Sequence, residues 1–202
     1  HVAEPGGKAR NQALIGPIAG QNRRSKAQGR QNGGADNAPR IEVADDIGDA
    51  IAALRRRVGV VHQDTQFLDH LPVAENIALP MMVAGQPIDM QAIRDLLAWV
   101  QMTGQARAMP PSLSGGERQR AALARAVILS PDVILADEPT GNLDPETSIG
   151  IMKLLDRIHR SGTTVLMATH DATIVDQMRR RVLELDHGHL VRDQKAGLYG
   201  TQ

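Results

Sequence analysis

A short, wholly apolar segment followed at once by two carboxylates constrains this chain more than any other feature. Residues 133–136 read Val-Ile-Leu-Ala, which is typical of a strand in the middle of a parallel sheet. Asp137 and Glu138 follow directly, at the carboxyl edge of that sheet, where open α/β folds bind ligands. Neighbouring strand residues point to opposite faces, so the two carboxylates can have separate roles. One can bind Mg²⁺, usually through water, and the other can polarise an attacking water.

The segments around this strand alternate between strand and helix patterns. Asp144 precedes Pro145, the order that is typical of an N-cap and the first residue of a helix. Strands that alternate with helices indicate an α/β fold with a doubly wound, mostly parallel sheet. The predicted elements are strands at 58–61 and 163–168, helices at 89–104, 117–129, 145–162 and 171–178, and a β-hairpin over 182–191. Asp89 is the predicted N-cap of the first of these helices, and Ile149 is expected to point inward from the third.

Length and composition restrict the class of protein. The 202 residues suit one α/β domain with a small subdomain. Lysines plus arginines number 23, as do aspartates plus glutamates, so the net charge is zero and no nucleic-acid partner is expected. The absence of cysteine excludes disulfides and thiolate metal sites. No signal peptide is predicted at the start, and the longest uncharged run, residues 76–88, is too short to span a bilayer.

The first 40 residues differ in composition from the rest of the chain. They hold seven basic and two acidic residues, no aromatic residue, and no sustained helical or strand period. Such a segment cannot bury enough apolar surface to offset its chain entropy, which predicts disorder. We therefore divide the chain into an atypical basic segment, 1–47, that is disordered or not native, and a domain, 48–202, with a helical subdomain at about 68–125.

An anion site is predicted where Ser114-Gly115-Gly116 begins a helix. Two glycines allow the backbone to approach a ligand closely, and the first turn of a helix offers free N–H groups and a positive dipole end. The Ser114 hydroxyl adds a donor. The alternative interpretation is an ordinary serine N-cap followed by flexible glycines.

Two further polar residues follow predicted strands. His170 comes after 163–168 and Gln63 after 58–61. If their strands are neighbours of 133–136, His170 and Glu138 converge on one site, where an imidazole can bind a γ-phosphate. The amide of Gln63 can bind a cation or a water molecule. The alternatives are a structural histidine and a simple surface amide.

Together these motifs resemble the nucleotide-binding subunit of ABC transporters. Residues 113–120, Leu-Ser-Gly-Gly-Glu-Arg-Gln-Arg, look like the family's signature motif, and 133–138 resembles its Walker B strand with the catalytic glutamate. Residues 141–144, Gly-Asn-Leu-Asp, are similar to the D-loop, His170 to the switch histidine and Gln63 to the Q-loop glutamine. The resemblance covers about residues 48–200 and implies a P-loop NTPase-like fold with a helical subdomain.

The resemblance implies ATP and Mg²⁺ as cofactors and ATP hydrolysis as the activity. Glu138 would polarise the attacking water and His170 would contact the γ-phosphate, which makes these two the catalytic candidates. Asp137 and Gln63 would serve Mg²⁺ and its water shell. The residues assigned to a nucleotide held by the other protomer of a head-to-tail homodimer, or to the interface beside it, are Ser114, Gly115, Gly116, Glu117 and Asp144.

The resemblance also implies an integral membrane subunit as partner and a peripheral position at the cytoplasmic face of the inner membrane. Phe67, Leu68 and 79–82 would face that subunit; the alternative is that they form the core of the helical subdomain. Residues 140–145 and 167–171 are most similar to the branch of the family that acts in cell division. The lipoprotein-releasing and macrolide-export branches are the alternatives. A soluble ABC ATPase of DNA repair or translation is disfavoured by neutral charge, chain length and the lack of a second signature motif.

The chain departs from the family pattern in one respect. A phosphate loop of the form Gly-x4-Gly-Lys-Ser/Thr belongs upstream of Gln63 and does not occur in the 202 residues. The family's upstream aromatic residue is absent too, since the only aromatic residues are Phe67, Trp99 and Tyr199. We consider two interpretations. Residues 1–47 are translated out of frame, or the chain is a catalytically incomplete remnant for which weak or absent ATP binding is expected.

Overall fold

Residues 43–199 are described by a computed structural model of the chain, and their side chains from residue 48 onward. The disorder predicted for the N-terminal segment therefore falls mostly outside the described residues. The elements, in chain order, are α1 (Val43–Arg56), β1 (Val58–Val61), α2 (Val73–Val83), α3 (Met90–Trp99), two 3₁₀ turns (Thr103–Gln105 and Pro110–Ser112), α4 (Gly115–Val127), β2 (Val133–Asp137), α5 (Pro145–Arg160), β3 (Thr164–Ala168), α6 (Ala172–Met178), β4 (Val182–Asp186) and β5 (His189–Gln194).

The main sheet is parallel and has the strand order β1-β2-β3. The apolar strand β2 lies in the middle, as its sequence predicted, and Ala136 pairs with Val61 on one side and Met167 on the other. At the carboxyl edge, Asp137 is in register with Ala168. The α/β class with a parallel sheet is therefore confirmed, and the polar residues that follow the three strands are brought to one edge.

One face of this sheet packs against helices. Val61, Ile134 and Ala136 are buried there, and α4 approaches β1 so closely that a Cβ at Gly59 would lie 2.5 Å from the carbonyl oxygen of Ala126. In the part of the chain that the structure describes, the opposite face keeps an apolar row accessible. That row consists of Val60, Leu135 and Leu166, which are 42%, 38% and 55% exposed.

The helices α2, α3 and α4 pack on one another beside the sheet. Their shared core includes Ile77, Ile93, Leu97 and Leu123, all almost fully buried. Asp89 caps α3, as predicted, by accepting hydrogen bonds from the backbone N of the second and third helical residues at 2.9 and 3.0 Å. These helices correspond to the region assigned to the helical subdomain.

Two sequence-based expectations were wrong in detail, and one helix was missed. Helix α3 ends at Trp99 rather than at Gly104, because the chain reverses through Gln101 in a left-handed conformation, φ 63°, and then buries the neighbouring methionine. Ile149, expected to point inward from α5, is exposed. Helix α1 was not predicted, although residues 47, 51 and 54 are apolar at helical spacing.

The hairpin predicted near the end of the chain is confirmed. Strands β4 and β5 pair antiparallel and are joined by His187 and Gly188, which both have positive φ, 46° and 81°. Two left-handed residues in a row are the requirement of a type I′ turn, which glycine meets without steric cost.

Candidate functional site

Glu138 and His170 converge at the carboxyl edge of the sheet. Glu138 Oε1 accepts a hydrogen bond from the backbone N of His170 at 3.0 Å and another from its ring Nδ1 at 2.7 Å. The two residues are 32 positions apart in sequence and meet because β2 and β3 are adjacent. The predicted convergence is therefore confirmed, whereas their catalytic roles stay predictions.

The backbone conformation at Glu138 directs its side chain toward His170. Its N donates to the carbonyl of Ala168 at 3.0 Å, which extends the β2–β3 pairing by one residue. Its φ of 44° is left-handed, a conformation that is uncommon for residues with a side chain and is often found at functional sites. Its carbonyl then accepts from the N of Gly141 at 3.0 Å and closes a tight turn.

Thr169 completes the cluster and was missed by the sequence analysis. Its Oγ1 donates to Glu138 Oε2 at 3.3 Å and accepts from the N of Asp171 at 3.1 Å. Both carboxylate oxygens of Glu138 are thus hydrogen-bonded to the loop after β3. The only signal in the sequence was a hydroxyl residue between a predicted strand and a polar histidine.

The pKa of His170 is raised by Glu138, first through the hydrogen bond to its carboxylate and then through Coulombic attraction, with a smaller contribution from Asp171. Desolvation opposes this shift only weakly because the imidazole is exposed. Since a carboxylate cannot donate, Nδ1 carries the proton of the hydrogen bond, and Nε2 is left toward solvent. The pair therefore presents beside a carboxylate either an imidazolium, whose Nε2–H can donate, or a neutral ring, whose Nε2 accepts.

Asp137 and Gln63 lie at the same carboxyl edge of the sheet. Asp137 is on β2, and Gln63 follows β1. Asp137 is exposed and ends its strand. A Cβ at Gly141 would lie 2.9 Å from Gln63 Nε2, so the Gln63 amide lies against the turn that follows Glu138. Carboxylate and amide oxygens are the donors that Mg²⁺ prefers, and Mg²⁺ typically takes few protein ligands plus water and phosphate. This donor set fits such a partial site; within residues 43–199 no group of three or more His, Asp or Glu side chains is placed to hold a metal.

Ser114 begins α4 as the N-cap of a capping box. Its Oγ accepts from the N of Glu117 at 3.3 Å and donates to Glu117 Oε2 at 2.7 Å, while its own N donates to the same oxygen at 2.9 Å. These bonds, the backbone one first, lower the pKa of Glu117. The structure thus places Ser114 and Glu117 in the capping role that the sequence left open, at an exposed helix start whose anion-binding role stays a prediction.

The two glycines of α4 pack against their own chain. A Cβ at Gly116 would lie 2.5 Å from Thr147 Cγ2, and one at Gly115 would lie 3.2 Å from Leu143 Cδ2. These partners flank Asp144, which caps α5 by accepting from the N of Thr147 at 3.0 Å. The pKa of Asp144 is lowered, first by the Thr147 side chain and then by this backbone hydrogen bond. The start of α4 and the start of α5 therefore form one contact region.

The family model described as ABC transporter matches residues 22–141. The chain belongs to the ABC transporter family. The matched range includes residues 22–42, which lie outside the described residues, and it ends inside the turn after Glu138, so it contains the signature motif and the Walker B strand.

Curated relatives share the name "Cell division ATP-binding protein FtsE". The one from Mycobacterium tuberculosis is 52% identical over 155 residues, covering 76% of this chain and 67% of the relative. The one from Bacillus subtilis is 47% identical, covering 75% and 67%, and the one from Escherichia coli is 44% identical, covering 68% and 63%. The chain thus spans about two thirds of the length of the curated relatives that it matches.

A solved ABC structure shares this fold. It is described as the dimeric structure of a post-hydrolysis state of an ATP-binding cassette bound to ADP and Pi. The TM-score is 0.65 at 31% sequence identity, and the match covers 75% of this chain and 68% of that chain. Among residues 43–199 of our chain, no helix has the length and apolar character needed to cross a membrane.

A cleft of about 990 Å³ leads away from the Glu138–His170 pair of this ABC domain, between α5 and α6. At its far end, Asp156 accepts from Arg160 Nε at 2.8 Å and also pairs with Arg180. The Asp156–Arg180 pair therefore joins the end of α5 to the segment after α6, and the cleft runs from the Glu138–His170 pair to a cationic end.

Proposed function

We propose that this chain is the ATP-binding subunit of an FtsE-type ABC complex, which couples ATP-driven dimerisation to a membrane partner in cell division. Family membership and the shared name of its relatives support this proposal, and they disfavour the lipoprotein-releasing and macrolide-export alternatives. The single observation that carries the site assignment is the convergence of Glu138 and His170 at the carboxyl edge of β2 and β3.

The chemistry we propose for the site is hydrolysis of the terminal phosphate of ATP. Glu138 would accept a hydrogen bond from the attacking water and orient it, as a carboxylate does in other phosphoryl-transfer sites. His170 Nε2 would donate to the γ-phosphate when the ring is protonated on both nitrogens, a form that its raised pKa favours. Asp137 and Gln63 would hold Mg²⁺ and its water, and the metal would neutralise charge on the phosphates.

The residues present fit only part of the nucleotide. They supply the groups that act on the water and the γ-phosphate, whereas the lysine and backbone cradle of a phosphate loop do not occur in the sequence. A catalytically incomplete remnant is therefore our second candidate, and weak ATP binding is its expected property. The division into an atypical segment 1–47 and an ABC domain 48–202 also stays a proposal; resequencing the encoding DNA would refute an out-of-frame segment if the frame is intact near codon 48.

We propose a head-to-tail homodimer in which the start of α4 faces the nucleotide of the other protomer. The dimeric state of the solved relative supports this arrangement. Ser114 would exchange its Glu117 partner for a phosphate oxygen, and the free N–H groups of the first turn would add donors. Asp144 would lie at the interface, since its flanking residues already contact the glycines of α4.

We propose that the membrane partner is an integral subunit resembling FtsX, and that the chain is peripheral at the cytoplasmic face of the plasma membrane. Leu68 and Met82 are exposed, which suits the proposed partner-facing surface, whereas Met81 is buried and belongs to the core. The core interpretation therefore fits Met81, and we propose the partner-facing one for Leu68 and Met82.

Steady-state ATP hydrolysis by the purified chain tests the enzymatic part. The expected result is Mg²⁺-dependent phosphate release that Glu138→Gln abolishes and that the exposed variant Glu75→Gln leaves unchanged. If release is absent or equal in all three proteins, the chain is the incomplete remnant. Co-purification with an FtsX-type membrane subunit tests the partner separately, because docking through the Leu68 surface does not require hydrolysis.

A further inference from the structure

Helix α4 holds the segment that carries Gln63 through two side-chain hydrogen bonds, one on each side of Gln63. Gln119 of α4 donates from Nε2 to the carbonyl of His62 at 3.4 Å. Arg125, nearly two turns further along, donates from Nη1 to the carbonyl of Gln66 at 2.6 Å. Gln119 is 4% exposed, so its amide is committed to this contact and not to solvent.

The hydrogen bond from Arg125 to Gln66 is reinforced by an aromatic contact. The guanidinium carbon of Arg125 lies 4.6 Å from the centroid of the Phe67 ring, within the range of a cation–π interaction. The guanidinium therefore donates to a backbone carbonyl through Nη1 and at the same time lies over an aromatic ring. Lysine cannot do both, because its ammonium group is compact and lacks a flat face.

The helix that provides these contacts cannot easily shift away from the sheet. Gly59 of β1 faces Ala126, the residue next to Arg125, with no space for a Cβ between them. The same turn of α4 that touches β1 therefore reaches across to Gln66 and Phe67. The residues beyond are held as well, since the fully buried Asn76 of α2 donates to the carbonyls of Leu68 and Leu71 at 3.1 and 2.8 Å.

We propose that Gln119 and Arg125 are positioning residues that set the location of Gln63 by holding the carbonyls of His62 and Gln66. Gln63 itself makes no hydrogen bond to α4. The backbone is held on either side of it, at His62 and at Gln66. Because α4 begins at Ser114, a change at that helix start reaches Gln63 through these two side chains. If the start of α4 binds a nucleotide, as the proposed function has it, Gln63 would respond to that binding. The positioning of Gln63 by Gln119 and Arg125 does not depend on the proposed function.

Local hydrogen exchange on the full chain tests the positioning. Gln119→Met keeps the side-chain length without a donor, and Arg125→Lys keeps the charge without the flat fork. We expect amides of residues 63–67 to exchange about tenfold faster in each, the effect of losing one hydrogen bond, while amides of β2 keep their rates. Arg107→Lys, an exposed arginine between the 3₁₀ turns, is the matched control and should change neither region.

Phe67→Leu is a further variant, which removes the aromatic ring but leaves the hydrogen bonds to the carbonyls of His62 and Gln66. It should accelerate exchange of residues 66–67 and not of residue 63. Unchanged exchange at 63–67 in the Gln119 and Arg125 variants would overturn the proposal. Acceleration of equal size in β1, β2 and 63–67 would overturn it too, because it would show global destabilisation instead of local release.

A spin label provides a readout that a purely stabilising role would not move. The chain has no cysteine, so Asp64→Cys and, as a reference on α2, Glu75→Cys give single labelling sites. Under native conditions we expect the label at 64 to become more mobile in the Gln119→Met background and the label at 75 to be unchanged. Neither measurement uses a nucleotide or a membrane subunit. The positioning proposal can therefore succeed or fail separately from the ATPase and co-purification tests.

Discussion

Glu138 Oε1 accepts hydrogen bonds from both the backbone N and the ring Nδ1 of His170, at 3.0 and 2.7 Å. The backbone bond fixes the loop after β3, and the ring bond fixes the orientation of the imidazole. One carboxylate oxygen therefore places the histidine and also selects which ring nitrogen carries a proton. The other oxygen is held by Thr169 at 3.3 Å.

The first prediction concerns the titration of His170. In Glu138→Gln, a neutral amide accepts a weaker hydrogen bond and the Coulombic attraction is lost, so the raised pKa of His170 should fall toward its usual value of about 6.5. NMR titration of the His170 ring protons measures this change directly. Glu75→Gln is the control and should leave the titration unaltered; the same pKa in all three proteins would contradict the contact.

The same contact determines the sign of a pH dependence of stability. His170 has a higher pKa in the folded than in the unfolded chain, so its contribution is complete below about pH 6.5 and is lost as pH rises through the folded pKa. We therefore expect the stability difference between the parent and Glu138→Gln to shrink as pH increases. Urea unfolding across this range measures it; the effect is small because the imidazole is exposed and screened by solvent.

A second prediction compares two glycines. Gly59→Ala should destabilise the fold by about 1–3 kcal/mol, because its Cβ would overlap the carbonyl oxygen of Ala126 and force α4 away from β1. Gly104→Ala is the matched control, since nothing lies within 4 Å of its Cβ and its φ is not positive. Urea midpoints should separate the two; equal midpoints would refute the close contact.

A third prediction concerns Asn76. Its side chain accepts from the N of Leu68 at 2.8 Å and donates to three carbonyls, and it is fully buried. Asn76→Ala leaves several of these backbone groups without partners and should cost about 3 kcal/mol of unfolding free energy. The exposed variant Gln86→Ala should stay within about 0.5 kcal/mol of the parent. A similarly small effect of Asn76→Ala would mean that water replaces the amide.

A fourth prediction concerns the start of α4. Ser114→Ala removes the hydroxyl of the capping box and should cost about 1 kcal/mol. It should also raise the pKa of Glu117 in part, because the hydrogen bond from the Ser114 backbone N, the larger cause of the lowered pKa, remains while the one from the hydroxyl is lost. A lowered carboxyl pKa stabilises the fold above the unfolded pKa and ceases to do so as pH falls through the folded value, so the cost of Ser114→Ala should diminish in acid. Thr103→Ala serves as control in urea titrations from about pH 3 to about pH 7.

Local patterns were sufficient for the elements that depend on neighbouring residues. The N-caps at Asp89 and Asp144, the strand at 133–136 and the hairpin turn at His187-Gly188 depend on short-range geometry, and the structure has each of them where it was expected. The end of α3 was not predictable in this way, because burial of Met102 in the distant core decides where the helix stops.

The sequence by itself determined the family, the order of the strands and of the helices from α3 onward, and the set of polar residues that follow the strands. Tertiary structure alone decided which of those residues meet: Glu138 with His170 and Thr169, Gln63 with Gly141, and α4 with the segment after β1. The reason is physical. Motifs arise from local backbone chemistry, whereas these contacts join residues tens of positions apart and depend on which strands pair and how closely the helices pack on them.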